Sequence, residues 1–181
     1  MENAMLTLIQ SRTSYRGPYA STPVPRADLA AILAAGLSAP SGCNKQTVSL
    51  VAANDPALLT KLKAAIDPPI FPTAPAVIFV LSRPVNAYRD KCFAVQDYAA
   101  AIENMLLAIR ALGYESCWYE GHITDDDRID LKLAALLGVP KEYRVVCALP
   151  VGKALEPPRP APKKPYAERA WFNAFDGEEA F

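Results

Sequence analysis

Two short polar segments near the N-terminus hold the residue types best suited to binding chemistry. Arg12-Thr13-Ser14-Tyr15-Arg16 concentrates guanidinium forks and hydroxyls, and Ala39-Pro40-Ser41-Gly42-Cys43-Asn44-Lys45-Gln46 follows one amphipathic helix later. Arginine forks grip a phosphate in a bidentate way, and a hydroxyl adds a short donor. On an extended backbone Arg12, Ser14 and Arg16 share one face, because side chains alternate. The same residues also fit a solvated helix end with a surface cation pair. In the second segment a helix must stop before Pro40, so backbone groups are free. The amides of Asn44 and Gln46 both donate and accept, which suits the polar edge of a flat heterocycle. A plain Asn-containing turn is the alternative. Together the two segments suggest a bound nucleotide-like cofactor.

Other candidates are sparser. Glu120-Gly121-His122 follows a short apolar segment, and a glycine there lets a ligand approach the backbone. His122 is the sole histidine. With Glu120 it offers at most two metal ligands, and no nucleophile elbow supports a Ser-His-Asp reading. A surface-loop histidine is the simpler account. Lys163-Lys164 lies in a proline-rich stretch, either as soluble linker charge or as a third cation for the same phosphate. Neither G-x-G-x-x-G nor a P-loop is present, so a nucleotide must be held by another arrangement.

The elements that position these residues read as one domain of mixed α and β, with helices able to cover both faces of one sheet. The chain has 181 residues, 51% hydrophobic, with 19 basic and 19 acidic side chains. A balanced charge gives no electrostatic reason to expect nucleic acid or an anionic membrane as partner. No apolar stretch is long enough to span a bilayer, and MENAMLTLIQ lacks the basic and apolar regions of a signal peptide. The expected location is the cytoplasm. Cys43, Cys92, Cys117 and Cys147 are scattered without metal spacing, and the last three read as small buried hydrophobes.

Leu6 and Ile9 predict a short helix ending near Ser11. A second helix runs from Pro25 to before Pro40 on Leu29, Ile32, Leu33 and Leu37. Thr47–Ala52 reads as a strand, and Asp55-Pro56 starts a third helix. Ala76–Leu81 is apolar without alternation, as for a strand covered on both faces. Phe93 to Leu112 is a long helix, apolar nearly all round, ending at Gly113. Glu115–Tyr119 reads as a short strand. Thr124 or Asp125 should cap a helix that runs to Leu137 and closes at Gly138, and Tyr143–Val151 should be a strand. Five prolines at 157, 158, 160, 162 and 165 then make an extended arm. Tyr166, Trp171, Phe172, Phe175 and Phe181 follow it, so the arm should dock on an apolar surface, its own or a partner's.

In this order the motifs resemble the flavin-dependent nitroreductase family. The likeness runs through both polar segments, Gln96-Asp97, Leu112-Gly-Tyr, Glu120-Gly121, Leu137-Gly-Val-Pro140, Leu149-Pro-Val-Gly152 and Lys163-Lys164-Pro165. It implies an α+β, three-layer α-β-α sandwich with a mixed central sheet. It implies a homodimer in which residues 1–152 form the FMN-binding core and the arm at 153–181 wraps the partner. By this resemblance Arg12, Thr13, Ser14 and Arg16 match residues that hold the FMN phosphate and pyrimidine edge. Pro40, Ser41, Gly42 and Asn44, with Gln46 beside them, match the turn that the partner offers to the isoalloxazine. Glu120 and Gly121 match the backbone facing flavin N5, and Lys163 matches a phosphate-binding cation, usually arginine in the family. The implied activity is ping-pong hydride transfer from NAD(P)H through FMN to a small electron-poor acceptor, a nitroaromatic, a quinone or similar. A flavin-binding or redox-sensing protein with little turnover is the alternative, and a cofactor-free interaction domain is a third reading. The compact Pro68–Pro75 region leaves out the lid helices of longer relatives, which implies an open pocket. His122 stands where many relatives carry an apolar or aromatic residue, which places it at the pocket's border.

Overall fold

The computed structural model describes residues 3–179. Its centre is a three-stranded sheet of β1 (Val48–Ala53), β2 (Ala76–Ser82) and β5 (Arg144–Val151), in the order β1-β2-β5. Both pairings are antiparallel, from Val48↔Ser82 to Ala53↔Val77 and from Ala76↔Val151 to Ser82↔Arg144. The mixed sheet implied by the resemblance is thus antiparallel within one chain. Every residue of β2 is buried, which explains its unbroken apolar run.

Helices cover both faces. Val77, Phe79 and Leu81 point into one core with Leu59, Leu62, Leu133 and Val145. Ile78 and Val80 point into the other with Leu29, Ile32, Ile102, Met105 and Ile109. The first core belongs to α3 (Pro56–Ala64) and α5 (Ile129–Leu137), the second to α2 (Arg26–Leu37) and α4 (Ala94–Ala111). This is the α-β-α layering expected. Helix α1 (Ala4–Ser11) is capped by Asn3, whose side chain accepts from the Met5 amide, and it packs near α4. Asp55 caps α3 by accepting from the Leu58 amide at 2.8 Å. A small hairpin, β3 (Asn86–Tyr88) and β4 (Lys91–Cys92), leads into α4.

Helix α4 buries one stripe rather than its whole circumference. Ala94, Asp97, Tyr98, Ala101, Ile102, Met105, Leu106 and Ile109 are buried. Val95 remains exposed. The segment expected as a strand at Glu115–Tyr119 makes only two bridges, Glu115↔Gly152 and Tyr119↔Ala148. It runs beside the β5 edge without a continuous ladder. Helix α5 starts at Ile129, later than the expected Thr124 or Asp125 cap. Arg128 stands at its N-cap in a left-handed conformation, with no side-chain cap, and Asp126 and Asp127 lie in the turns before it. The Glu120 carbonyl takes the Ile123 and Thr124 amides, which bends the chain there and delays the helix.

Cys117 and Cys147 are buried, whereas Cys92 is exposed in the hairpin and departs from its expected burial. The arm leaves the core after residue 156. Leu155 donates its amide to Pro18, and the Tyr15 hydroxyl accepts the Glu156 amide at 3.3 Å. Beyond this anchor Tyr166, Phe172 and Phe175 are exposed, the last at 79%. A two-residue hairpin pairs β6 (Trp171–Phe172) with β7 (Glu178–Glu179), and Trp171 stacks near Phe175. Phe172 and Phe175 therefore do not meet the expected docking on their own chain. Phe181 lies outside the described residues.

Candidate functional site

The strand-like segment Arg12–Arg16 leaves α1 in extended geometry, with Arg12 at φ −65°, ψ 131°. Side chains then alternate. Tyr15 is buried, while Ser14 and Arg16 are exposed. Tyr15 is fixed from several sides. Its hydroxyl donates to the Pro18 carbonyl at 2.6 Å, its ring meets Tyr19 edge-on at 5.1 Å, and its amide donates to Ser116 at 2.8 Å. Arg12 reaches Glu103 of α4 at 3.5 Å. The outward face carries two guanidinium groups and a hydroxyl, as an extended reading of the sequence requires.

The Tyr15–Ser116 bond lays this segment against residues 115–120. Arg16, Ser14 and Arg12 all lie close enough to Cys117 to act on its thiol. Burial pushes that thiol up, and the two guanidinium groups and Ser14 oppose the shift. Glu120 ends the segment. Its carboxylate accepts the Tyr98 hydroxyl at 2.6 Å and the Trp118 indole N–H at 2.8 Å. Gly121 follows in open space, with nothing near the position of a Cβ.

The second polar segment is a tight turn built around a 3₁₀ turn at Gly42–Asn44. Cys43, Asn44 and Gln46 all adopt positive φ, at 49°, 53° and 48°. Three such residues among four, with only Lys45 at negative φ between them, are unusual without glycine and carry backbone strain. Buried Asp97 holds the turn. One carboxylate oxygen accepts the Gly42 amide at 2.7 Å and the other the Thr47 hydroxyl at 2.6 Å. The Ser41 hydroxyl accepts the Gln46 amide at 2.9 Å. A cavity of ≈ 200 Å³ opens beside it, lined by Pro40, Ser41, Gln46, Thr47 and Asp97. Arg12–Arg16 and Glu120 are not part of its wall.

A model described as the nitroreductase family matches residues 9–68 and 63–153. The chain belongs to the nitroreductase family. A curated relative from Archaeoglobus fulgidus, named as an NADH dehydrogenase/NAD(P)H nitroreductase, is 33% identical over 148 residues, which is 81% of this chain and 83% of the relative. A crystal structure of a Bacteroides fragilis nitroreductase with bound FMN superposes with a TM-score of 0.77 at 29% identity, covering 96% of this chain and all of that one. A Clostridium difficile FMN-dependent nitroreductase gives a TM-score of 0.78 at 25% identity, covering 94% and 99%.

Within this chain the expected site residues fall into two groups. Arg12, Thr13, Ser14 and Arg16 belong to the segment that Tyr15 ties to Ser116, with Arg12, Ser14 and Arg16 close to Cys117. Pro40, Ser41, Gly42, Asn44 and Gln46 form the turn held by Asp97. Lys163 and Lys164 are exposed on the arm. His122 is half-buried, with its Nε2 buried and unpartnered. Four buried side-chain polar atoms among the described residues lack a partner: Thr13 Oγ1, Ser82 Oγ, Ser116 Oγ and His122 Nε2. Three of them lie in or beside the Arg12–Arg16 and Glu120 segments. Unpartnered polar atoms concentrated in this way fit a surface that a polar ligand completes.

Sequence reasoning gave no role to Asp97, Tyr98, Thr47 or Trp118. A signal existed for the first. Asp97 occupies a core position of the α4 stripe, one turn from Ala94 and Ala101. A carboxylate there requires buried donors, and the turn supplies them. Among the described residues no group of His, Cys, Asp and Glu could hold a metal ion, and no helix is long and apolar enough to cross a membrane.

Proposed function

We propose that this nitroreductase is an FMN-dependent NAD(P)H oxidoreductase, working as a homodimer with two cofactor sites. The observation that carries this is the row Arg12, Ser14, Arg16 lying against residues 116–119, the stretch that leads into Glu120–Gly121, within a chain of this family. The donor set fits FMN. Two guanidinium groups, the Ser14 hydroxyl and the unpartnered Thr13 hydroxyl suit a phosphate and the carbonyl-rich pyrimidine edge. Lys163, carried on the arm, supplies a further cation.

The turn at Pro40, Ser41, Gly42, Asn44 and Gln46 faces the isoalloxazine held mainly by the other chain. The cavity beside the turn is walled without Arg12–Arg16, which supports this division. Residues 153–181 form an arm that wraps the partner, which accounts for aromatics left exposed on their own chain. Met5, Leu6 and Ile9 of α1 are likewise exposed and add apolar surface for a partner to cover.

FMN, when bound, supplies a centre that takes hydride from NAD(P)H and gives it to an acceptor. The protein's part is to bind and orient. Arg16 places positive charge where reduction adds negative charge. The open Gly121 backbone lets the reacting edge approach closely. Donor and acceptor occupy the same open pocket in turn, a ping-pong order, and the acceptor is a small electron-poor molecule such as a nitroaromatic or a quinone. His122, whose buried Nε2 has no partner, supplies the proton that accompanies hydride transfer or tunes acceptor choice. No dedicated nucleophile is required.

The test is the spectrum of the purified protein. FMN absorption that bleaches rapidly with NADH or NADPH, and returns when a quinone or nitroaromatic is added, supports the reading. Bound FMN that neither nucleotide reduces would identify a flavin-binding or redox-sensing protein instead. His122→Ala should alter the pH–rate profile of acceptor reduction, and an unchanged profile removes His122 from the pocket.

A further inference from the structure

We infer that the N-terminal end of α4 is the positioning element of the site, with Asp97 fixing the cofactor-facing turn and its neighbour Tyr98 fixing Glu120. The inference rests on the proposed FMN site and names residues to which that reading gives no part. Successive residues on a helix point about 100° apart. Asp97 and Tyr98 use this divergence to reach two different loops from one rigid base.

The Asp97 side is a clamp on strain. Residues 43, 44 and 46 are left-handed and none is glycine. Such a turn persists only if its surroundings hold it. Asp97 holds both ends, through the Gly42 amide and the Thr47 hydroxyl. Both Asp97 and Thr47 are buried, so these bonds are little weakened by solvent. Asp97 does not need to touch the cofactor to act on it.

The Tyr98 side locks a loop residue completely. The Glu120 carboxylate takes the Tyr98 and Trp118 donors, and the Glu120 carbonyl takes the Ile123 and Thr124 amides and the Thr124 hydroxyl. With side chain and carbonyl both engaged, the peptide leading into Gly121 has one orientation. That peptide is the one proposed to face the reacting edge of the cofactor. Misplacing a reacting partner by about 1 Å can cost a hundredfold in rate.

Two variants that each delete one hydroxyl test this, Thr47→Val and Tyr98→Phe, with Thr47→Ser as the conservative rescue. Amide hydrogen exchange on the protein without added FMN is the first measurement. Thr47→Val should speed exchange at Gly42 and Gln46 about tenfold, and Tyr98→Phe should do the same at Ile123 and Thr124, each leaving the other loop unchanged. The second measurement is on FMN itself. Thr47→Val should weaken FMN binding about tenfold. Tyr98→Phe should keep FMN affinity within about twofold but shift the reduction potential of the bound flavin and slow its reduction by NAD(P)H about tenfold. Thr47→Ser should behave as wild type. Thr47→Ala serves in the same assays if Thr47→Val does not fold. Exchange that rises uniformly along the chain in both variants would mark a merely structural role and overturn the inference. Wild-type protein that binds FMN alongside variants of equal affinity and potential would overturn it while leaving the proposed function standing. Wild-type protein that takes up no FMN would overturn both.

Discussion

The two polar segments of this chain solve opposite problems. Arg12–Arg16 relies on ordinary extended backbone. Tyr15 anchors it in the core, and alternation alone turns Arg12, Ser14 and Arg16 outward. The Gly42–Gln46 turn relies on backbone that its residue types disfavour. It needs a buried carboxylate from a distant helix to hold its shape. The first segment presents charge that any extended strand could present. The second presents amides at angles that only a strained, clamped loop gives. Damage to the first should therefore appear in binding, and damage to the second in folding as well.

The largest expected effect breaks the clamp. Asp97→Ala leaves the Gly42 amide and the Thr47 hydroxyl without their acceptor in a buried place. It should cost about 3 kcal/mol of stability. Urea denaturation followed by circular dichroism measures this, and a loss under about 1 kcal/mol would show that the turn does not depend on Asp97.

Arg12→Ala is the matching change in the other segment. Its ion pair with Glu103 is loose and half-exposed, so stability should change by less than about 1 kcal/mol. FMN binding should weaken by about 2 kcal/mol through lost charge-assisted bonds. Equal FMN affinity in a titration by fluorescence quenching would remove Arg12 from the site.

Gly42→Ala sharpens the contrast through packing. An added Cβ would lie 2.6 Å from Cδ2 of Phe93 and 2.8 Å from its Cβ. The cost should be about 1–2 kcal/mol, read as a lower melting temperature. An unchanged melting temperature would mean that the turn yields easily and is not held.

The arm extends the comparison beyond one chain. Truncation after Gly152 removes the exposed aromatics and Lys163 together. It should convert the dimer to monomer in sedimentation and abolish FMN uptake. A dimer that survives truncation would contradict the wrapping arm.

The smallest effect concerns alkaline pH. Burial pushes Tyr119, against the Arg12–Arg16 and Cys117 region, up to about 12. Tyr114 is likewise pushed up to about 12, chiefly by its hydrogen bond to Asp28 and then by burial. In the unfolded chain both hydroxyls ionise near their ordinary value of about 10. Their contribution is thus complete below that pH and is lost as pH rises toward about 12. Circular dichroism should show stability falling across this window. Tyr119→Phe should flatten the fall, and an identical slope would remove Tyr119 as a cause.

Much of this architecture is legible in the sequence. The apolar run at β2, the Asp55-Pro56 start of α3 and the Gly138 stop of α5 follow from local chemistry. The alternation at Arg12–Arg16 does too, because Tyr15 is the one large apolar side chain in the segment. The start of α5 was not legible. Three acids before Arg128 resemble a helix cap, yet the Glu120 carbonyl captures the preceding amides and forces turns. The clamp was also hidden. Asp97 is recognisable as an acid on an apolar stripe, but its partners lie some fifty residues earlier, at separations of 55 and 50. Local spacing carries no information about contacts of that range. The strain of Cys43, Asn44 and Gln46 has no local signature, since glycine is absent from those positions.

The central claim is that each cofactor site takes one polar segment from each chain. Mixed dimers of Arg12→Ala and Asn44→Ala protomers test it directly. Either variant alone damages both sites of its homodimer. A mixed dimer places both defects in one site and leaves the other intact. The account predicts one tightly bound, NAD(P)H-reducible FMN per mixed dimer, where each parent binds weakly. Mixed dimers that bind FMN no better than their parents would contradict it.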